Sequence, residues 1–548
     1  MLESASEQYS FSFHSSKKIP KNKRSIFKSQ KTPLTRNNSP VPAKIFSAAT
    51  IGLESELVEV EVDAFNAGMH HFTVVGLPDT TVKESRDRVS SALKNSGFVP
   101  PHRFGRITVN LAPADLPKNS SLYDVPMALG FLLATEQLSF DFHGKLFLGE
   151  LSLDGKIRSV GGVLPISLLA KKLGFSEVYV PDGNATEASM VQGIQVLPIT
   201  SLLETAKHLS GEKTIAPAEN INPSKIFSEE VQLLDMSDIR GQEHAKRALE
   251  IAAAGGHNIL MSGPPGSGKT ALAKTLPSIL PRLTFEESIE ITKIFSVAGF
   301  QTRANALVTA RPFRSPHHSA SAASLVGGGS FPKPGEISLA HRGVLFLDEF
   351  GEFAKSMLEN LRQPLEDGFI TISRAKGSIH FPARFTLVAA MNPCPCGNLG
   401  DPGRICSCSP RETLRYKSKI SGPILDRIDL HIEVPRLPFE KIETSDQAER
   451  SATIRERVER ARDTQKKRFE GMGIFANAEM NSALLRETCP LDNVGKDLLK
   501  KAVSTLHLSV RAYYRIIKLA RTIADLEDTD HILPKHLAEA VQYRFKAE

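Results

Sequence analysis

Apolar and polar residues alternate over residues 57–62 with the two-residue period of a half-buried strand. Residues 71–75 and 106–110 read as further strands, and residues 83–96 read as a helix. After a polar stretch from Gly211 to about Asn222, the pattern starts afresh. Residues 257–262 form a mostly apolar, strand-like run, and residues 271–276 are helix-forming. Residues 344–347 read as a buried strand that ends in two carboxylates, and residues 385–391 as another strand. Between these two, residues 369–373 and 378–381 alternate like the arms of a hairpin whose turn is Arg374, Ala375, Lys376 and Gly377. Beyond residue 438 the pattern is helical, and its longest helical run ends at Leu526. The expected fold class is a multidomain α/β chain closed by a helical region.

At 548 residues the chain exceeds what one hydrophobic core supports. The pattern divides it into a tail at 1–44, an α/β unit at 45–209, a linker at 210–233, a second α/β unit at 234–437 and a helical unit at 438–548. The tail is rich in Ser, Lys, Asn and Pro and lacks apolar periodicity, so it is expected to be disordered. A nucleic-acid arm and a transit peptide are the alternatives for it. Its nine basic side chains against two acidic ones account for the whole formal charge of +7. The folded body is therefore neutral, and overall charge says nothing about a polyanionic partner. No apolar run reaches the ~18 residues of a transmembrane helix, so no membrane partner is expected. Five cysteines, four of them clustered, do not form a secreted disulfide framework and fit a reducing cytoplasm.

The run Gly263, Pro264, Pro265, Gly266, Ser267, Gly268, Lys269, Thr270 fits the phosphate-loop pattern G-x-x-x-x-G-K-[ST]. Glycines let successive backbone N–H groups point into one concavity at a helix N-terminus, which favours an anion. Lys269 would reach the β- and γ-phosphates of a nucleotide, and the Thr270 hydroxyl would ligate Mg²⁺. A buried strand ending in Asp348 and Glu349 supplies the complement. Asp348 would hold the same Mg²⁺, and Glu349 would orient and deprotonate the attacking water. ATP and Mg²⁺ are the expected cofactors, and ATP hydrolysis the expected reaction.

Several runs carry a family resemblance: Arg311-Pro-Phe-Arg-Ser-Pro-His317-His318, Gly327-Gly-Gly, Pro334-Gly-Glu336-Ile-Ser-Leu-Ala-His341 and Asp238-Ile-Arg240-Gly-Gln242. With Val74-Val-Gly-Leu-Pro78 and the Glu84-Ser-Arg-Asp-Arg-Val run, they resemble the magnesium-chelatase-like AAA+ ATPases, and more narrowly the YifB/ComM group. The resemblance covers nearly everything from residue 45 onward. It implies an AAA+ core and a hexameric ring with ATP at the subunit interfaces. Asn392, at the end of the strand 385–391, matches the family's sensor 1. Arg427 stands where an arginine finger supplied in trans is expected, and Arg511 matches sensor 2 in the helical lid. Residues 45–209 resemble the proteolytic domain of Lon, but the nucleophile and lysine positions fall on Leu122 and Ala170. Without a hydroxyl and its base, acyl-enzyme chemistry fails, so a binding or assembly module is expected.

Related motors carry a hairpin before sensor 1 that points into the ring's pore, and Arg374 and Lys376 at its tip would contact DNA phosphates. The segment with His317, His318 and Gly327-Gly-Gly329 is expected to form the family's loop insertions, with structural or pore-loop roles, and two adjacent histidines, which alternate faces on a strand, are poor as a paired metal site. Cys394, Cys396, Cys406 and Cys408 give C-x-C-x₉-C-x-C. Four thiolates suit a structural Zn²⁺, and free or redox-active thiols are the other reading. The lone Cys489 reads as an apolar packing residue.

The resemblance implies a ring motor on branched or single-stranded DNA, driving branch migration in recombination of incoming DNA, with recombination proteins as partners. A chelatase-type motor that remodels a protein partner is the alternative. The fused Lon-like unit disfavours that alternative.

Overall fold

The computed structural model describes residues 42–544 apart from 66–68, 77–79, 117, 119–120, 220–233, 301–306, 330–331, 375–376, 402 and 438–447. The tail 1–41 lies outside the described residues. The strand Ala43–Ile51 opens the first unit two residues before the boundary placed at 45.

The first unit is built on a seven-stranded mixed sheet. Ala43–Ile51 pairs antiparallel with Glu54–Phe65, which pairs antiparallel with Arg106–Ala112. His71–Val75 runs parallel to Arg106–Ala112 at one edge, and Glu177–Pro181 and Gln195–Ile199 run parallel at the other. In Glu54–Phe65 the buried positions Val58, Val60 and Val62 alternate with glutamates, as the period-two pattern requires. Helices Asp124–Ala134 and Val163–Leu173 pack their apolar faces on this sheet. Leu122 and Ala170 are both buried in that core. Nearby, the Ser121 hydroxyl hydrogen-bonds the Glu150 carboxylate, and Lys171 is exposed.

The second unit carries a five-stranded parallel sheet in the order Phe313–Arg314, Val344–Leu347, Thr386–Met391, Ile259–Ser262, Leu430–Glu433. Thr386–Met391 is buried at every position, which is why it reads as a continuous apolar run. Helices Glu243–Gly255 and Lys269–Ile279 cover one face. The lid helix Ser451–Arg468 packs on both, and Val510–Leu526 joins the same core.

Among the described residues, the two α/β units touch through a helix pair and through a turn that meets a hairpin. Helix Phe285–Ala298 of the second unit lies against helix Val163–Leu173 of the first. Ser296 Oγ donates to the buried Glu187 carboxylate (2.5 Å) and accepts from Gly162 N–H (3.1 Å). At the second contact, a Cβ added to Gly52 would stand 2.7 Å from Ile379 in the hairpin of the second unit. Gly52 has φ +62, so the turn after Ala43–Ile51 both needs glycine and presses on that hairpin.

Candidate nucleotide site

The phosphate loop leaves the C-terminal end of the central strand Ile259–Ser262 and enters helix Lys269–Ile279. Gly266 and Gly268 have φ of +76 and +91, a region that side chains avoid. A Cβ at Gly263 would lie 2.1 Å from the Val434 carbonyl oxygen, so only glycine permits the loop to pass the neighbouring strand end. Gly263 N–H donates to Met391 O at 3.2 Å, which ties the loop to the residue before Asn392.

Lys269 is buried, and its Nζ donates to the carbonyls of Gly263 (2.7 Å) and Pro264 (2.9 Å) and to Asn392 Oδ1 (3.5 Å). Burial lowers its pKa, against the opposing pull of Asp348. Thr270 Oγ1 donates to Asp348 Oδ2 at 2.7 Å, and the backbone N–H of Glu349 donates to Asp348 Oδ1 at 2.9 Å. Glu349 has φ +51, a costly conformation for a residue with a side chain, and its carboxylate is 55% exposed. The structure thus brings Lys269, Thr270, Asp348, Glu349 and Asn392 to one end of the parallel sheet.

These residues fit a nucleotide with Mg²⁺. The Ser267 hydroxyl is buried in the loop without a hydrogen-bond partner, the lysine's firm contacts are neutral carbonyls, and a hydroxyl and a carboxylate stand together for a hard cation. A cleft of about 410 Å³ opens beside the loop, lined by Ile239, Leu272, Leu437, Gln242 and Arg436 together with loop residues. Gln242 has φ +59 and its amide spans Pro435 O (2.7 Å) and Ser267 O (3.4 Å). Sequence reasoning used residues 238–242 only as a family signature. Their chemistry is hidden because a wall of Ile, Leu and Gln has no distinctive spacing.

Arg427 and Arg511 lie elsewhere. Asn258, at the start of the strand Ile259–Ser262, bonds to the backbone of Arg427, Asp429 and Leu430. Arg427 therefore sits at the end of the sheet opposite the phosphate loop. Its side chain is 5% exposed, with Nη1 on Pro423 O and Nη2 on Glu366, and its Nε has no partner. Arg511 donates to the same Glu366 oxygen at 2.8 Å. Glu366 was not a sequence candidate.

His318 Nδ1 lies 2.9 Å from Glu349 Oε2. The strand Phe313–Arg314 ends before His317 and His318, so both histidines fall in the loop beyond it, with ring centroids 4.1 Å apart.

The hairpin Phe369–Arg374 with Gly377–Pro382 pairs in the register Ile370 to Phe381 and Ile372 to Ile379. Its buried face, Ile370, Ile372 and Phe381, packs on the second unit's core. Lys376 lies outside the described residues, as does the side chain of Arg374.

The Sγ atoms of Cys394, Cys396, Cys406 and Cys408 all lie within 4.8 Å of one another. Three separations are 3.4, 3.6 and 3.7 Å. A tetrahedral ion with metal–sulfur bonds of about 2.3 Å requires sulfurs about 3.8 Å apart, whereas a disulfide requires about 2.0 Å. Backbone N–H groups of Asn398 and Ser407 point at Cys396 Sγ and bring its pKa down to about 5, which favours the thiolate. The donor set fits Zn²⁺. Cys489 is buried in the lid core, as an apolar packing residue would be.

Family models match successive stretches of the chain. The family model described as "Magnesium chelatase, subunit ChlI" matches residues 235–442. "Subunit ChlI of Mg-chelatase" matches 58–184, and "Magnesium chelatase, subunit ChlI C-terminal" matches 448–544. The competence protein ComM of Haemophilus influenzae is 47% identical, over 92% of this chain and 97% of that protein. The YifB protein of Escherichia coli is 44% identical, over 91% of this chain and 96% of its own length. Lon protease 2 of Bacillus subtilis is 30% identical over 28% of this chain and 29% of its own length.

Proposed function

Because this chain belongs to the YifB/ComM group of magnesium-chelatase-like AAA+ ATPases, we propose that it is a ring motor that hydrolyses ATP to drive branch migration of DNA. The observation that carries the ATPase part is the meeting of Lys269, Thr270, Asp348 and Asn392 at one end of the sheet. The DNA part rests on two supports. A relative similar over nearly its whole length is named a competence protein. The strands Phe369–Arg374 and Gly377–Pro382 are anchored by their apolar face, and the sequence expects Arg374 and Lys376 at the turn between them.

Phosphoryl transfer asks mainly for positioning and charge stabilisation. The loop N–H groups and Lys269 bind the β- and γ-phosphates, the ammonium leaving its two carbonyl partners for them. Thr270 and Asp348 would hold a Mg²⁺ ion, which would supply charge neutralisation at the transferring phosphate. Glu349 turns its exposed carboxylate from His318 to the attacking water and takes its proton. The Asn392 amide holds that water or the γ-phosphate. Arg427 and Arg511, remote from their own loop, serve the nucleotide of a neighbouring copy, which is why a hexameric ring is the working form. Hydrolysis then moves the hairpin along the DNA backbone.

Cys394, Cys396, Cys406 and Cys408 hold a structural Zn²⁺ in this reading, on the sulfur separations given above. The first unit, with Leu122 and Ala170 in the dyad positions, acts as a binding or assembly module.

The test is DNA-stimulated ATP hydrolysis by the full chain with linear, single-stranded and branched DNA. Stimulation that is strongest with branched DNA supports the reading. ATP hydrolysis that no DNA stimulates would favour a motor acting on a protein partner.

A further inference from the structure

The cysteine knuckle is not a separate ornament on the second unit. It begins two residues after Asn392 and folds back onto the phosphate loop. Gly397, at the knuckle's first turn, has φ +79, and its N–H closes that turn on Cys394 O at 3.0 Å. A Cβ at Gly397 would lie 2.6 Å from Pro265 Cδ and 2.8 Å from Pro265 Cγ. The turn therefore rests directly on the loop's second proline. A second link runs through Asp401, between the two cysteine pairs. Its side chain is 1% exposed, and Oδ2 has no hydrogen-bond partner and lies 3.7 Å from Arg436 Nη2. Arg436 lines the nucleotide cleft and reaches Pro265 O at 3.4 Å. Both paths lead from the four sulfurs to the same loop residue.

We propose that the metal-bound knuckle is a clamp on Pro265 that sets the shape of the nucleotide cleft, so that metal and nucleotide stabilise each other's binding. This rests on the zinc reading given above. Loop ordering couples the two sites. The described residues from Cys394 to Cys408 have no regular secondary structure, and the first pair of thiols is ten residues from the second. A tetrahedral ion closes that loop and fixes Gly397 and Asp401 at once. Without the ion, the backing of Pro265 is free to move, and nucleotide must order both segments when it binds. Coupling of this kind is reciprocal: whatever factor metal adds to nucleotide affinity, nucleotide adds to metal affinity.

The experiment uses the full-length chain. Zinc content is measured by elemental analysis, nucleotide affinity by calorimetry with Mg-ADP, and zinc loss by a chromogenic chelator with and without Mg-ADP. About one zinc per chain is expected from the single four-sulfur set. Zinc removal should raise the ADP Kd at least about fivefold, and saturating Mg-ADP should lower the apparent zinc Kd by the same factor. An unchanged ADP Kd in a zinc-free chain with a native circular-dichroism spectrum would overturn the clamp while leaving the zinc reading intact. Absence of zinc from fresh protein, and failure to take it up, would overturn the zinc reading itself. Should zinc removal unfold the chain, two zinc-loaded variants decide instead. Gly397→Ala pushes on Pro265, and Asp401→Asn weakens the link to Arg436, yet both keep all four thiols. Both should raise the ADP Kd with zinc still bound, and wild-type affinity in both would overturn the clamp.

Discussion

Arg427 and Arg511 are joined through a single carboxylate oxygen of Glu366, at 2.5 and 2.8 Å. The bond from Arg427 holds the Glu366 carboxyl below its ordinary pKa, and Arg511 adds to the effect. One residue comes from the second unit and the other from the lid, and both stand at the end of the sheet away from Lys269. On the proposed reading, the two arginines would be presented together or withheld together. Arg427→Ala should lower kcat about a thousandfold, the order expected for an arginine finger, with ADP affinity nearly unchanged. Mixing Arg427→Ala chains with Lys269→Ala chains should restore hydrolysis at the interfaces that pair one intact loop with one intact arginine. Arg511→Ala should behave alike in the mixture. Mixtures as dead as their components would contradict supply in trans.

Glu366→Gln tests the clasp. It keeps the size of the side chain and loses the charge that holds both guanidinium groups. If Glu366 orders Arg427 for catalysis, kcat should fall about tenfold or more, with KM for ATP little changed. Loss of nucleotide affinity without loss of kcat would place Glu366 outside this role.

Much of the site is legible in the sequence, because phosphate chemistry fixes residue types at fixed spacing. The phosphate loop, Asp348 and Asn392 each follow an apolar run, and the parallel sheet brings those strand ends together. The strands 344–347 and 386–391 are equally legible, because full burial demands continuous apolar runs. Glu366 is not. It is a common polar residue whose role arises from tertiary contact across a long sequence separation, and no local pattern marks it. His318 stands in a run that carries the family resemblance, but its contact with Glu349 has no local signature. The first unit's fold follows from the alternation of Val58, Val60 and Val62, whereas its docking through Ser296 and Glu187 has no sequence signature.

That docking has a pH dependence. Burial raises the pKa of Glu187 above the ordinary range of a glutamate, although Ser296 Oγ, Leu164 N–H and the Asn184 amide all donate to it. The folded state thus holds this proton more tightly than the unfolded state. Its contribution is fully present below the unfolded pKa and is lost as pH rises through the folded value. Unfolding in urea at about pH 5 and about pH 8 should show the chain losing stability with rising pH from this group. Glu187→Gln keeps the hydrogen-bond geometry and should flatten that slope. Identical slopes for variant and wild type would contradict the assignment.

The hairpin turn gives a separate prediction. Reversing charge at both positions, Arg374→Glu with Lys376→Glu, should abolish stimulation of ATP hydrolysis by DNA and leave basal hydrolysis intact. The physical basis is phosphate contact, so stimulation of the wild-type chain should also fall steeply with salt. Unchanged stimulation in the double variant would remove these residues from the DNA path.

Glu349→Gln should bind ATP as tightly as wild type and hydrolyse it at least about a hundredfold more slowly, because the general base is lost and the phosphate contacts remain. Lys269→Ala should fail at the earlier step, with nucleotide binding itself reduced in calorimetry.

The most direct measurement offers the full-length chain a three-strand or four-way DNA junction with ATP and Mg²⁺, beside the Lys269→Ala chain. The account predicts ATP-dependent movement of the junction by the wild type and none by the variant. Absence of strand movement by a wild-type chain that hydrolyses ATP freely would contradict it.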